Sequence, residues 1–308
     1  MVKPYLYLTL LFIGLVVNCE EFVSTVELNQ YSYISPLDNS ERKYYVYLPE
    51  GYYSQETKKW PAILFLHGDG ERGDGIDELA YTRIHGPLFE AWVMKKNLPF
   101  VLIVPQLPMF GRDTLGITYL ENRSLSNVPK RLDYGVPKRT PYFDGPPIQS
   151  SPMVEVFPEQ LPLFDDGWNR FEEDLLVILE KTQNELRIDS NKIYLTGLSY
   201  GGFGTWYLGS KYPDKFAAIA PVVAWGHPQL IPQIAQYNLP IWVFAGGKDL
   251  TIEKKFFYKG MAMLESLGHT KVQFTIHEDL GHDAWKRVYS GDELYQWFLS
   301  HSLKAADE

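Results

Sequence analysis

Short apolar runs separated by longer amphipathic stretches recur along this chain. Pro61-Ala62-Ile63-Leu64-Phe65-Leu66, Phe100 to Pro105, Lys192-Ile193-Tyr194-Leu195-Thr196, Ala217 to Val223 and Leu239 to Ala245 are near-continuous apolar segments of strand length, while Lys271-Val272-Gln273-Phe274-Thr275-Ile276 alternates. Continuous runs of this length fit strands buried on both faces, as in a parallel sheet covered by helices. Asn169 to Leu186 places Phe171, Leu175, Ile178 and Leu179 on one side of a helix. Another helix-like stretch leads to Tyr212, and Leu294, Trp297 and Phe298 mark the inner face of a final helix. The alternation predicts an α/β architecture, a doubly wound and mostly parallel sheet, with Phe22 to Leu48 supplying antiparallel edge strands. Residues 20–308 contain no internal repeat and suffice for one large domain.

Leu107 to Asp166 breaks the alternation, with nine prolines and little periodicity. This insert leaves the sheet at the carboxyl end of the Phe100 to Pro105 strand. Loops at that end surround the site in open α/β sheets, so the insert is placed to form a lid or a binding wall. The alternative is a surface elaboration without substrate contact. Tyr119, Tyr134, Tyr142, Phe143 and Trp168 offer rings for stacking on a sugar or an aromatic acyl group, although such rings also pin loops down. Asn122-Arg123-Ser124 is a glycosylation sequon if the host glycosylates.

The chemistry lies in Gly197-Leu198-Ser199-Tyr200-Gly201-Gly202, directly after one apolar run and directly before a helix. Strand, Gly-x-Ser-x-Gly, helix is a nucleophile elbow: the tight turn strains the serine backbone, and flanking glycines let strand and helix pass. A serine alcohol needs a histidine to take its proton and a carboxylate to orient that histidine. In the chain order Ser, acid, His, the strand at Leu239 to Ala245 ends in Gly246-Gly247-Lys248-Asp249, and the last strand leads to Gly281-His282. Asp249 and His282 are therefore the favoured partners of Ser199. His277, a strand terminus, is the main competitor; His227 follows a strand, and His269 and His301 look like surface or helix positions. Asp279 and Asp283 compete with Asp249, which also reads as an ordinary turn aspartate.

The oxyanion formed on attack needs donors from the residue after the nucleophile and from the loop after an early strand. Tyr200 N–H and Asp69 N–H, with Gly70 as the alternative, are the candidates; His67 reads as a residue that shapes this loop. The same loop spells Gly68-x-Gly70-x-x-Gly73, the spacing of a dinucleotide-binding turn. No helix opens at Gly73 in the sequence pattern, and Glu90 lies in a helix-like run, so no nucleotide and no other cofactor is expected.

With these residues in hand, the chain resembles the α/β-hydrolase superfamily, and within it the exported phospholipase/carboxylesterase-like and feruloyl-esterase-like group, some members of which are labelled predicted peptidases. The resemblance rests on Leu66 to Gly73, His85-Gly86-Pro87, Gly197 to Gly202, Asp249 and Gly281-His282-Asp283-Ala284-Trp285, and covers residues 40–106 and 167–303. It implies Ser199, Asp249 and His282 as a catalytic triad. The chain departs from the group in the insert and in Leu250-Thr251-Ile252, where relatives tend to have valine and proline near the acid.

Leu6 to Val17 is an apolar run behind Lys3, too short to span a bilayer and suited to a signal peptide over residues 1–19. Cleavage after Cys19 gives a soluble exported protein; cleavage before it leaves a lipid-bearing cysteine, for which Asn18 is a poor neighbour. Cys19 is the single cysteine, so no intramolecular disulfide and no cysteine-ligated metal site forms, and no metal is expected. The net charge of -9 without a basic run argues against nucleic acid and anionic membrane partners.

The resulting expectation is a secreted serine esterase working through an acyl-enzyme on a small-molecule or oligosaccharide ester, with acyl groups on carbohydrate or aromatic acids. Trp168, Trp225 and Trp285 are the candidate substrate contacts. A serine peptidase on the same triad is one alternative, and a non-catalytic binding protein on a hydrolase fold is the other.

Overall fold

The computed structural model describes residues 25–142 and 166–303. Its strands are β1 (Glu27–Ile34), β2 (Glu41–Leu48), β3 (Trp60–Leu66), β4 (Val101–Val104), β5 (Ile188–Leu198), β6 (Ala218–Val222), β7 (Ile241–Gly246) and β8 (Val272–His277). They form one sheet in the order β1-β2-β4-β3-β5-β6-β7-β8. From β4 to β8 all neighbours are parallel, whereas β1 on β2 and β2 on β4 are antiparallel. The early segment thus forms the antiparallel edge that its position before the first buried run predicts.

The helices are α1 (Gly86–Leu88), α2 (Thr118–Glu121), α3 (Glu172–Glu185), α4 (Tyr200–Lys211), α5 (Ile231–Gln236), α6 (Phe257–Ser266), α7 (Trp285–Ser290) and α8 (Glu293–Leu299). Side chains alternate across β3, so Ala62, Leu64 and Leu66 enter one core and Ile63 and Phe65 the other. The first core is completed by Leu175 and Ile178 of α3, Trp206 of α4, Ile234 of α5 and Leu264 of α6. The second takes Leu88 of α1, Val288 of α7, and Leu294, Tyr295 and Phe298 of α8. Every residue of β3 is buried, which is why its sequence is apolar throughout instead of alternating.

This arrangement places the carboxyl ends of β3, β5, β7 and β8 along one rim. Leu66 pairs with Gly197 in parallel register, so the loops leaving β3 and β5 begin side by side. The described part of the insert, 107–142, carries more local structure than its composition predicts: α2 and turns at Arg112–Thr114 and Leu125–Asn127. Phe143 lies outside the described residues.

Candidate active site

Ser199 sits between β5 and α4 with φ 50° and ψ -115°, a conformation that costs a non-glycine residue on the order of 1–3 kcal/mol. The surroundings enforce it. Ser199 N–H donates to Val222 O on β6 at 2.9 Å, and its own carbonyl accepts from Gly202 and Phe203 as α4 begins. A Cβ on Gly201 would lie 2.0 Å from Leu66 O, and one on Gly197 2.3 Å from Gly201 O, so the turn closes only with glycine on both sides. The strained turn holds the serine hydroxyl clear of the sheet.

The Ser199 hydroxyl donates to His282 Nε2 at 2.9 Å, and His282 Nδ1–H donates to Asp249 Oδ2 at 2.7 Å. The tautomer follows from the acceptor-only carboxylate on the Nδ1 side. Asp249 is fully buried in the loop after β7, where its other oxygen accepts from the Thr251 and Ile252 N–H groups, each at 2.8 Å. One carboxylate therefore makes the turn aspartate's bonds and the histidine contact together. A proline at 251 or 252 would delete one of those donors. The loops after β7 and β8 are tied by Gly247 N–H to His277 O and Lys248 N–H to Leu280 O.

The competitors are engaged elsewhere. His277 ends β8 with its ring stacked on Phe244, centroids 6.3 Å apart, and burial pushes its imidazole below the ordinary value. Asp279 pairs with Arg287, and Asp283 with Lys286. His269, expected at a surface or helix position, is buried in the turn after α6 and bonds Leu239 O through Nε2 at 2.8 Å, bracing the entry to β7. His301 bonds Trp297 O through Nδ1.

After β3, His67 donates from Nδ1 to Gly68 O at 2.6 Å and accepts from Leu107 N–H at Nε2, 2.8 Å. Both nitrogens hold main chain, joining the loop to the start of the insert. Burial pushes this imidazole down to about 4. The loop forms a short turn at Asp69–Glu71, and no helix opens at Gly73, which instead bridges Pro108. Glu90 lies buried in the helical stretch Phe89–Val93 and binds Arg139 through both oxygens. The glycine spacing here is that of a loop packed on a strand-helix turn, with Gly68 against Leu198 and Gly201 against the His67 carbonyl.

No family model matches the chain. A stretch of 107 residues is 28% identical to the 1-acylglycerol-3-phosphate O-acyltransferase ABHD5 of Rattus norvegicus, covering 34% of this chain and 30% of that protein. Among solved structures, a thermostable esterase superposes with a TM-score of 0.60 at 23% identity, over 89% of this chain and 63% of the esterase. The S-formylglutathione hydrolase FrmB of Staphylococcus aureus superposes at 0.54 and 14% identity, over 90% and 97% of the two chains. The ferulic acid esterase of Anaeromyces mucronatus does so at 0.51 and 18%, over 92% of each. The chain has the α/β-hydrolase fold.

In this α/β-hydrolase fold the space over the histidine is an open cleft of about 420 Å³ lined by Lys248, Leu250, Thr251, His282, Asp283 and Trp285. A second cavity of about 480 Å³ lies between residues 84–90, the insert at 127–142 and α7. Neither Ser199 nor His282 lines it, and Trp285 lines both spaces. Of the three tryptophans expected at the substrate, only Trp285 is placed to meet one. Trp168 is fully buried, packed on His67 and Phe171, and Trp225 is 5% exposed against Phe203 and Phe256. Both belong to the core on the face of the sheet covered by α3 to α6, and not to the rim they were expected to line. Tyr142 packs under Arg287, while Tyr134 projects outward, 91% exposed.

Two features of this hydrolase-fold site escaped the sequence. His85 Nδ1 meets the buried Glu71 carboxylate at 2.5 Å, with the His85 ring on Trp285. Burial raises the Glu71 carboxyl, but the His85 contacts outweigh it and hold the group below its ordinary value. The second is an ion network joining Asp69, Arg72, Arg112 and Asp166. His85-Gly86-Pro87 and the arginine at position 72 are visible as motif residues, but their partners are set by tertiary contact alone.

Proposed function

We propose that the protein is a secreted serine hydrolase that cleaves carboxylic esters. The observation that carries this reading is the continuous chain of hydrogen bonds from Ser199 Oγ through His282 to buried Asp249, with an open cleft lined by His282 beside it. In this reading Ser199 Oγ attacks the ester carbonyl as His282 Nε2 takes its proton, and Asp249 stabilises the imidazolium. The oxyanion faces the backbone N–H groups of Asp69 and Tyr200. His282 then gives its proton to the departing alcohol, leaving an acyl group on Ser199. Water, deprotonated by His282, hydrolyses that acyl-enzyme and releases the acid.

The substrate class we infer is an acyl ester on carbohydrate or an ester of an aromatic acid. The ferulic acid esterase among the structural neighbours supports it, as does the aromatic and proline lining of the cavity behind Trp285, including Phe89, Pro137, Pro141 and Tyr142. Export is inferred from Lys3 and the apolar run Leu6 to Val17, which lie outside the described residues. The insert 107–166 is read as a binding wall over the strand ends.

The test is turnover of p-nitrophenyl acetate and a feruloylated oligosaccharide against a peptide anilide, each with and without a serine-directed phosphonate. Ester turnover abolished by the phosphonate, with little anilide cleavage, is expected. Anilide cleavage exceeding ester turnover would make the protein a peptidase, and no phosphonate-sensitive turnover would return it to the non-catalytic reading.

A further inference from the structure

Asp69 and Tyr200, whose N–H groups are read as the oxyanion donors, are linked through their side chains. Asp69 Oδ1 accepts from Arg72 Nε at 2.6 Å, and Oδ2 accepts from Arg112 Nη2 at 2.7 Å and from the Tyr119 hydroxyl. Arg112 turns its Nη1 to Asp166 Oδ2 at 3.2 Å, and Asp166 Oδ1 accepts from the Tyr200 hydroxyl at 3.2 Å. The route Asp69, Arg112, Asp166, Tyr200 therefore crosses from one loop to the other through residues near the two ends of the insert.

Arg72 braces this route from below. It is fully buried, its Nη1 donates to the main-chain carbonyls of Pro108 and Asp166 at 2.8 Å each, and its guanidinium lies 4.8 Å from the Tyr200 ring centre. A second insert arginine, Arg123, donates to the main-chain carbonyls of Gly70 and Arg72. Asp69 itself sits between Gly68 and Gly70, which impose little backbone preference of their own. The direction of its N–H is thus set from outside, and the contacts that set it come largely from the insert.

We propose that Arg112 is a positioning residue for the reaction: by bridging Asp69 and Asp166 it fixes the separation of the two oxyanion donors and neutralises the carboxylate that one of them carries. The proposal rests on the reading of Asp69 and Tyr200 N–H as those donors. Oxyanion stabilisation requires donors at about 2.7–3.1 Å from the developing anion, and a shift of roughly 1 Å costs about 100-fold in rate. Arg72 pairs with Asp69 as well, so without Arg112 the Asp69 and Asp166 carboxylates would share Arg72 alone, and the excess negative charge would oppose the developing anion by like-charge repulsion. The insert accordingly acts on the chemical step and is more than a wall for substrate.

The experiment compares wild type with Arg112→Gln, Arg112→Lys and Tyr119→Phe on p-nitrophenyl acetate, together with affinity for an aryl boronate, whose tetrahedral serine adduct carries an anionic oxygen. Arg112→Gln is expected to lower kcat about 10- to 100-fold with KM within about threefold, and to weaken the boronate by a similar factor. Arg112→Lys keeps the charge and recovers part of the loss. Tyr119 is 54% exposed, so Tyr119→Phe removes one donor to Asp69 without threatening the fold, and is expected to cost a few-fold in kcat. Unchanged kcat and boronate affinity in both Arg112→Gln and Tyr119→Phe, in a wild type that a serine-directed phosphonate labels, would overturn this proposal alone. A wild type that the phosphonate does not label would overturn the serine mechanism and this proposal with it.

Discussion

Trp285 stands edge-on to His282, ring centroids 5.1 Å apart and planes at 89°, and on its other side meets His85 at 5.4 Å. The indole is therefore both a side support for the histidine and the partition between the open cleft and the larger cavity. An aromatic contact of this kind is worth about 0.5–1.5 kcal/mol, or roughly 2- to 12-fold in binding. Trp285→Ala is expected to raise KM for feruloyl esters several-fold while KM for p-nitrophenyl acetate stays within about twofold. Equal changes in steady-state KM for both substrates would assign the indole to packing alone.

The Ser199, His282, Asp249 chain predicts a shared loss of turnover. Ser199→Ala removes the nucleophile, and Asp249→Asn keeps the turn bonds from Thr251 and Ile252 but presents an amide donor to His282 Nδ1. The ring is then driven to the tautomer with a proton on Nε2, which cannot accept from Ser199. Each variant is expected to lower ester kcat by about 10⁴. Near-normal turnover in Ser199→Ala would remove the serine from the mechanism.

The elbow predicts a severe backbone requirement. A methyl group on Gly201 would lie 2.0 Å from Leu66 O and 2.5 Å from His67 O, both main-chain atoms at the end of β3. Relief requires moving α4 from the sheet, so Gly201→Ala is expected to destabilise by roughly 3 kcal/mol or more. Urea unfolding midpoints compare it with wild type; an unchanged midpoint would mean that the helix and strand are not locked at this turn.

His67 predicts an acid sensitivity with a definite sign. Burial lowers it to about 4 from an ordinary 6.5, so between those values the unfolded chain holds the extra proton. Its contribution is complete above about pH 6.5 and is lost as pH falls toward 4, by on the order of 3 kcal/mol in all. The urea midpoint of wild type should fall between pH 7 and pH 5, and more steeply than that of His67→Gln. Parallel pH slopes for the two proteins would place the acid sensitivity elsewhere.

Local pattern carried a large part of this molecule. β3 is legible as an apolar run because both its faces are buried, and α3 because Phe171, Leu175, Ile178 and Leu179 recur at helical spacing on a single buried side. The elbow is legible because its glycines answer a local crowding that no other residue fits. The order of Ser199, Asp249 and His282 is likewise written along the chain, since each lies within five residues of the end of a strand. What lies across the chain was not legible. The same sequence cue, a tryptophan near a strand end, describes buried Trp168 and cavity-lining Trp285, and only tertiary packing separates them. The link from Asp69 through Arg112 and Asp166 to Tyr200 joins residues far apart in sequence, and charged side chains carry no periodic signal of their partners. Periodicity reports which face of an element is buried; which charge meets which, and which ring is left uncovered, is decided only when the elements pack.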